Sequence, residues 1–135
     1  MNLKIKDKEI GPGKPTFIIA EISGNHNQDF EKAKELVRKA AESGADAIKL
    51  QTYTADTLTI DCDKEWFQVK VNDDWKGKTL YELYEQAHTP WEWQKELKEI
   101  AESYGKILFS TPFDETAVDF LEQLNVPCYK VASFE

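Results

Sequence analysis

Apolar residues fall along this chain in two alternating styles, short continuous runs and stripes with helical spacing. Thr16-Phe17-Ile18-Ile19-Ala20-Glu21 is a run that ends on a charge, with the turn residues Gly11-Pro12-Gly13-Lys14-Pro15 before it. Such a run predicts a strand covered on both faces, as in a parallel sheet. Asp29 then suits a helix N-cap, because its side chain can accept from the first free backbone N–H groups. Phe30, Ala33, Leu36, Val37, Ala40 and Ala41 recur at three and four residues, and Lys32, Lys34, Glu35, Arg38 and Lys39 cover much of the remaining surface. Gly44 suits the left-handed position just past a helix, and Ala47-Ile48-Lys49-Leu50-Gln51 is the next short strand. Strand, helix, glycine, strand is a βαβ unit with parallel strands.

The order then repeats. Residues 52–78 are irregular and rich in Thr, Asp, Lys and aromatics, a long connection for a compact domain. A short helix is expected over 79–87, with Leu80, Leu83 and Tyr84 on one face. Thr89-Pro90-Trp91-Glu92 reads as a capping box with proline at the first helical position. Its helix runs to Tyr104 with Trp93, Leu97, Ile100, Ala101 and Tyr104 inward, and Gly105 stops it. Lys106-Ile107-Leu108-Phe109-Ser110 is a third strand, 114–124 a helix with Ala117, Val118, Leu121 and Leu124 inward, and 127–133 a fourth strand. Residues 3–10 form a short strand or hairpin ahead of all this. Four strands with three crossovers define an α/β class. Two closures fit: an open four-stranded parallel sheet, or the N-terminal half, about four βα units, of a (β/α)8 TIM barrel with helices outside. A complete barrel takes ~250 residues, and this chain has 135.

Composition narrows the partners. Hydrophobic residues are 41% and charged residues 31%, which fits a soluble globular chain. No apolar run approaches the ~20 residues that span a bilayer, and the N-terminus lacks the apolar core of a signal peptide. A cytoplasmic protein is expected. The net charge of −8 argues against nucleic acid or an anionic membrane as a general partner, but not against a small anion that sees local charge. Cys62 and Cys128 match no metal spacing, and Cys128 in Val126-Pro127-Cys128-Tyr129 reads as a buried thiol.

Functional groups of parallel α/β folds gather at the C-terminal ends of strands. Here those ends carry Glu21, Lys49, Gln51, Ser110, Thr111, Lys130, Ser133 and Glu135. Lys49 and Lys130 sit inside apolar strands, where a lysine is costly without an anionic partner. One reading places both in a pocket for a phosphate or carboxylate, with Ser110, Thr111 and Ser133 as hydroxyl donors. Another gives a structural ion pair with Glu21 or Glu135, or a strand edge with its lysines in water. A third makes one lysine a Schiff-base nucleophile. In Glu21-Ile22-Ser23-Gly24-Asn25-His26-Asn27, His26 either orients a substrate, moves a proton or ligates a metal, or is a polar surface residue. His88 reads as bland. The chain has two histidines and no HxH, HExxH, CxxC, Walker loop or GxGxxG, which gives neither a metal site nor a nucleotide site support. Of the aromatics, Trp93 and Tyr84 fit core packing, while Trp66, Phe67 and Trp75 could line a sugar pocket, lie under a lid or face a partner.

Four segments carry a family resemblance in order: 17–27 (Phe17-Ile18-Ile19-Ala20-Glu21-Ile22-Ser23-Gly24-Asn25-His26-Asn27), 44–53 (Gly44-Ala45-Asp46-Ala47-Ile48-Lys49-Leu50-Gln51-Thr52-Tyr53), 109–114 (Phe109-Ser110-Thr111-Pro112-Phe113-Asp114) and 129–135 (Tyr129-Lys130-Val131-Ala132-Ser133-Phe134-Glu135). Together they resemble the sialic acid synthase family. Gln51-Thr52-Tyr53-Thr54, Leu80-Tyr81-Glu82-Leu83-Tyr84, Thr89-Pro90-Trp91-Glu92-Trp93 and Ala132-Ser133-Phe134-Glu135 look most like its pseudaminic branch, although Gln94 stands where many of those enzymes have His.

The resemblance implies a homodimeric TIM-barrel enzyme that condenses phosphoenolpyruvate with an open-chain amino sugar. For the pseudaminic branch that sugar is a 2,4-diacetamido-2,4,6-trideoxy hexose; N-acetylneuraminate and legionaminate synthesis are the neighbouring activities. It further implies that Lys49, Lys130 and Ser133 hold the carboxylate and phosphate, that Thr111 lines that pocket, that Glu21 and Glu135 handle protons or position water, and that Asn27 and Gln51 support by hydrogen bonds. A divalent metal, Mn2+ or Mg2+, polarises the aldehyde in the family. Its histidine ligands belong to the second half-barrel, and a C-terminal antifreeze-like domain follows; both are expected outside residues 1–135. The chain alone is therefore expected to be an inactive half-site, or else a non-catalytic half-barrel that self-associates.

Overall fold

The computed structural model describes residues 2–70 and 75–132. Strands β1 (Leu3–Ile5) and β2 (Lys8–Ile10) pair antiparallel as a hairpin, whose turn holds Lys6 at φ 52°. Three parallel strands follow, β3 (Ile19–Glu21), β4 (Ala47–Thr52) and β5 (Ile107–Pro112), in the order β3-β4-β5. The helices are α1 (Phe30–Glu42), the single turn α2 (Ala55–Leu58), α3 (Leu80–Ala87), α4 (Trp91–Ser103) and α5 (Glu115–Gln123), with a 3-10 turn at Glu65–Phe67.

Local chemistry sets most of these boundaries. Asp29 caps α1 by accepting from the Lys32 N–H, and Gly44 takes φ +93° just past its end. Thr79 and Glu82 form a reciprocal capping box on α3, and Asp114 caps α5 by accepting from Thr116 and Ala117. At α4 the expected Thr89 capping box is absent. Pro90 is the N-cap, without a side-chain bond, and the Thr89 hydroxyl is used elsewhere.

The two faces of the sheet have different cores. Ile48 and Leu50 of β4 and Leu108 of β5 pack against Ala33, Val37 and Ala41 of α1 and Leu97 and Ala101 of α4. On the other face Ala47, Ile107 and Phe109 meet Ile5, Phe17 and Cys128, so the hairpin side covers the N-terminal end of the strands. Burial pushes the Cys128 thiol up, which keeps it protonated. Fully burying each large aliphatic side chain contributes about 1.5–3 kcal/mol, and this drives the closure of α1 and α4 onto β4.

Several expectations shift. The apolar run from Thr16 enters the sheet only at Ile19, and Ile18 and Ile19 stay about half exposed on the edge strand (51% and 45%). The fourth strand shrinks, within 127–132, to one parallel bridge between Ser110 and Tyr129. Tyr104 and Val118 face solvent, because α4 ends at Ser103 and only Ala117 and Leu121 of α5 reach the interior. Trp93 stacks on Phe30 at 4.9 Å and Tyr84 meets Tyr53 edge-on, both as core packing requires. Trp66 is exposed, while Trp75 lies under the Lys78 ammonium at 4.9 Å.

Candidate active site

Parallel pairing places Glu21 beside Lys49, Lys49 beside Phe109, and Gln51 beside Thr111. The bridge from Ser110 to Tyr129 then sets Lys130 next to Thr111, and the Lys130 N–H donates to the Ser110 carbonyl at 3.1 Å. Side chains alternate along a strand and partners in register share a face. Glu21, Lys49, Gln51, Thr111 and Lys130 therefore occupy one face, toward the C-terminal ends of the strands. It is the face opposite the α1–α4 core.

Lys49 is the centre of this group. Its side chain is only 11% exposed, and its Nζ donates to Glu21 Oε1 at 2.9 Å. The ion pair read as one alternative from the sequence is thus formed, on the face that also carries Lys130. Glu21 is 45% exposed and keeps its second oxygen available to water or a ligand. Thr111 is 1% exposed, and its hydroxyl has no hydrogen-bond partner among the described residues. A buried hydroxyl without a partner costs free energy, which a ligand oxygen at that spot would recover.

Gln51 is tied to the turn after β3, its Oε1 accepting from the Ser23 hydroxyl at 3.2 Å. Asn27 is exposed, at φ 52°, and lines a separate cleft with Ser23, Gly24, Asn25 and Trp75. Ser23 is the link between that cleft and Gln51. Gly24 makes the turn possible, since a Cβ there would lie 2.6 Å from the Ala87 carbonyl oxygen. Ser133 and Glu135 fall outside the described residues.

Two readings of the sequence are corrected here. Ser110 does not join the anion-facing group. Its register partner is Leu50, so it points to the helix side, where its hydroxyl bonds Thr52 Oγ1 at 2.7 Å while Thr52 donates to Gln94 Oε1 at 2.9 Å. His26 is no surface residue: it is fully buried, with both ring nitrogens engaged. Neither the Thr52–Ser110–Gln94 network nor the His26 anchor was drawn from the sequence. The one available signal was polar residues recurring where apolar ones would pack.

Among the described residues no group of three His, Cys, Asp or Glu side chains converges as a metal site requires. His26 has no free nitrogen, and His88 turns Nδ1 to the Glu85 carbonyl. These residues do not fit the divalent ion of the family.

The NeuB family pattern matches residues 36–135. The chain belongs to the NeuB family. It is 48% identical over 122 residues to the pseudaminic acid synthase of Campylobacter jejuni, covering 90% of this chain and 35% of that protein. It is 42% identical over 128 residues to the N,N'-diacetyllegionaminic acid synthase of Legionella pneumophila, covering 95% and 36%. The N-acetylneuraminic acid synthetase of Leptospira borgpetersenii, crystallised with citrate, superposes with a TM-score of 0.73 at 27% identity over 93% of this chain and 39% of that one. The chain spans about a third of the length of the curated relatives it matches. Its β3–β5 sheet with outer helices is part of a TIM-type α/β barrel, the closure favoured over an open sheet. The relatives named here are synthases of pseudaminic, N,N'-diacetyllegionaminic and N-acetylneuraminic acid. No described helix is long and apolar enough to cross a membrane.

Proposed function

We propose that this NeuB segment supplies the phosphoenolpyruvate-binding half of a pseudaminic acid synthase. The observation that carries the reading is the shared face of Lys49 and Lys130, with the unpartnered Thr111 hydroxyl between their strands. Two ammonium groups suit a ligand with a carboxylate and a phosphate, since each is a compact charge with several donors. Lys49 donates to Glu21 when the site is empty and shares its remaining donors with the incoming anion. The Thr111 hydroxyl gains a ligand acceptor, and Ser133 is assigned the role of a further hydroxyl donor. Gln51, held by Ser23, lines the rim, and Asn27 supports the turn that carries Ser23.

The reaction joins C3 of phosphoenolpyruvate to the aldehyde carbon of the open-chain sugar. Water adds at C2, and the C2–O bond breaks to release phosphate. Glu21 lies beside the lysine that grips the anion, so its carboxylate suits positioning of that water or acceptance of its proton. Glu135 is assigned the same kind of role. The sugar is the 2,4-diacetamido-2,4,6-trideoxy hexose of the pseudaminic branch, on the strength of 48% identity to a protein of that name.

Titration of the chain with phosphoenolpyruvate, followed by amide and lysine NMR signals, tests the anion site. Saturable shifts at Lys49, Thr111 and Lys130, lost in Lys49→Met, are expected. No shifts at millimolar ligand would overturn the reading. The sugar is tested by condensation assays on the gene product carrying residues 1–135, with the pseudaminic, legionaminic and N-acetylmannosamine precursors in parallel. Turnover of either of the last two in preference to the first reassigns the substrate.

A further inference from the structure

His26 sits in the turn that joins β3 to α1 and is 0% exposed. The Gln28 backbone N–H donates to its Nδ1 at 3.1 Å, so Nδ1 carries no proton. The proton is on Nε2, which donates to the Thr89 hydroxyl at 3.1 Å, in the junction between α3 and α4. The ring edge meets Trp93 of α4 at 5.4 Å. The same turn is stitched to the same junction twice more, by the Gln28 side-chain amide on the Gln86 and His88 carbonyls, and by Gly24 against Ala87. Asn27 and Gln28 are both held at positive φ, 52° and 56°, which non-glycine residues adopt only when surroundings enforce it. Ahead of the histidine the turn delivers Ser23 to Gln51, and the Ile22 N–H to the Lys49 carbonyl.

We propose that His26 is a positioning residue: its neutral imidazole latches the turn 22–28 onto the α3–α4 junction and so holds Ser23 on Gln51 beside Lys49. This rests on the phosphoenolpyruvate reading of that face, and adds a group that touches neither ligand nor lysine. Protonation at Nδ1 would set donor against donor at the Gln28 N–H and open the latch.

The surroundings favour the neutral form. Burial lowers the proton affinity of His26, and the positive charges of His88 after α3 and Lys32 in α1 act in the same direction. Among the described residues no carboxylate offsets them: Asp29 of the same turn is engaged in capping α1, and Glu96 of α4 pairs with Lys34. Because the folded pKa lies below the ordinary value of 6.5, the unfolded chain takes the proton first as pH falls. The stabilisation is complete above about pH 6.5 and is lost as pH falls through the folded pKa.

Three variants separate the two bonds. His26→Asn retains an acceptor near Nδ1, His26→Gln a donor near Nε2, and His26→Ala neither. In the unaltered chain, imidazole nitrogen NMR should show the Nε2–H tautomer and a midpoint below 6.5; a surface-like titration near 6.5 overturns the latch. His26→Ala should shift the Ser23 and Gln51 signals, and Asn and Gln should each restore them in part. Phosphoenolpyruvate affinity should fall about tenfold in His26→Ala, with partial rescue by the other two. A lower Tm in all three variants with Ser23, Gln51 and affinity unmoved would leave His26 a packing residue and overturn the proposal. If the unaltered chain binds no phosphoenolpyruvate, the anion reading fails, and the Ser23 and Gln51 signals still decide the latch. If His26→Ala does not fold, the unaltered chain and the two conservative variants decide it.

Discussion

The two faces of β4 are unlike: one is core, the other carries charge. Ile48, Leu50 and Thr52 point to the helices and are fully buried. Their one polar member is satisfied twice, by Gln94 and by Ser110. Ala47, Lys49 and Gln51 point the other way, where apolar packing stops at Phe109 and charge and amide groups take over. One strand thus anchors a core with its even positions and presents chemistry with its odd ones. A period of two makes the division possible, because a side chain on one face can change without moving its neighbour on the other.

Substitutions on the two faces should therefore have opposite signatures. The largest effect belongs to Leu50→Ala, which opens a cavity in the helix-side core and should cost about 2–5 kcal/mol in urea unfolding. Loss of binding from Lys49→Met should come next, at tenfold or more in phosphoenolpyruvate affinity by calorimetry, equivalent to about 1.4 kcal/mol. Stability should change by under about 1 kcal/mol in that variant, since the stranded Glu21 carboxylate is half exposed and rehydrates. Thr52→Val leaves Gln94 without its donor and should cost about 1–3 kcal/mol of stability, with affinity unchanged. If Thr52→Val weakened binding as much as Lys49→Met, the division between the faces would fail.

The smallest effect needs alkali. Tyr53 is buried next to Tyr84, which raises its phenol to about 12 against an ordinary 10.0. The folded chain keeps this proton when the unfolded chain has lost it, so the stabilisation holds below about pH 10 and is lost as pH rises through 12. A difference-absorbance titration should find two tyrosines ionising late, Tyr53 and Tyr129, whose phenol donates to Glu122 and is likewise raised to about 12, and Tyr53→Phe should remove one of the two.

The order of elements and most helix ends were legible because local chemistry sets them: Asp29, Gly44, Thr79 and Asp114 act within a few residues of where they stand. Lys49 and Lys130 stood out because a lysine in an apolar run demands a partner. The partner for Lys49 is Glu21, immediately before the turn that His26 holds. Thr89 misled because a Thr-Pro pair before a helix is a good local cap, yet its hydroxyl serves a histidine 63 residues away. The fourth strand misled in a similar way. Residues 127–132 have the apolar content of a strand but make one bridge, since pairing depends on what lies alongside and not on composition alone.

By itself, then, the sequence determined the order β3, α1, β4, α3, α4, β5, α5, and that charged groups would stand at strand ends. It also determined the family, through four ordered segments. Tertiary structure decided the phase of each strand. In a run that is apolar on both faces, alternation says that Ser110 and Thr111 point opposite ways, but not which one meets the helices. Register against β4 settles that, sending Ser110 to Thr52 and leaving Thr111 beside Gln51. It also decided the burial of His26, because a loop histidine becomes a core residue only when distant elements close around it. Local propensity acts over a few residues, whereas face and burial are properties of pairs brought together across the chain.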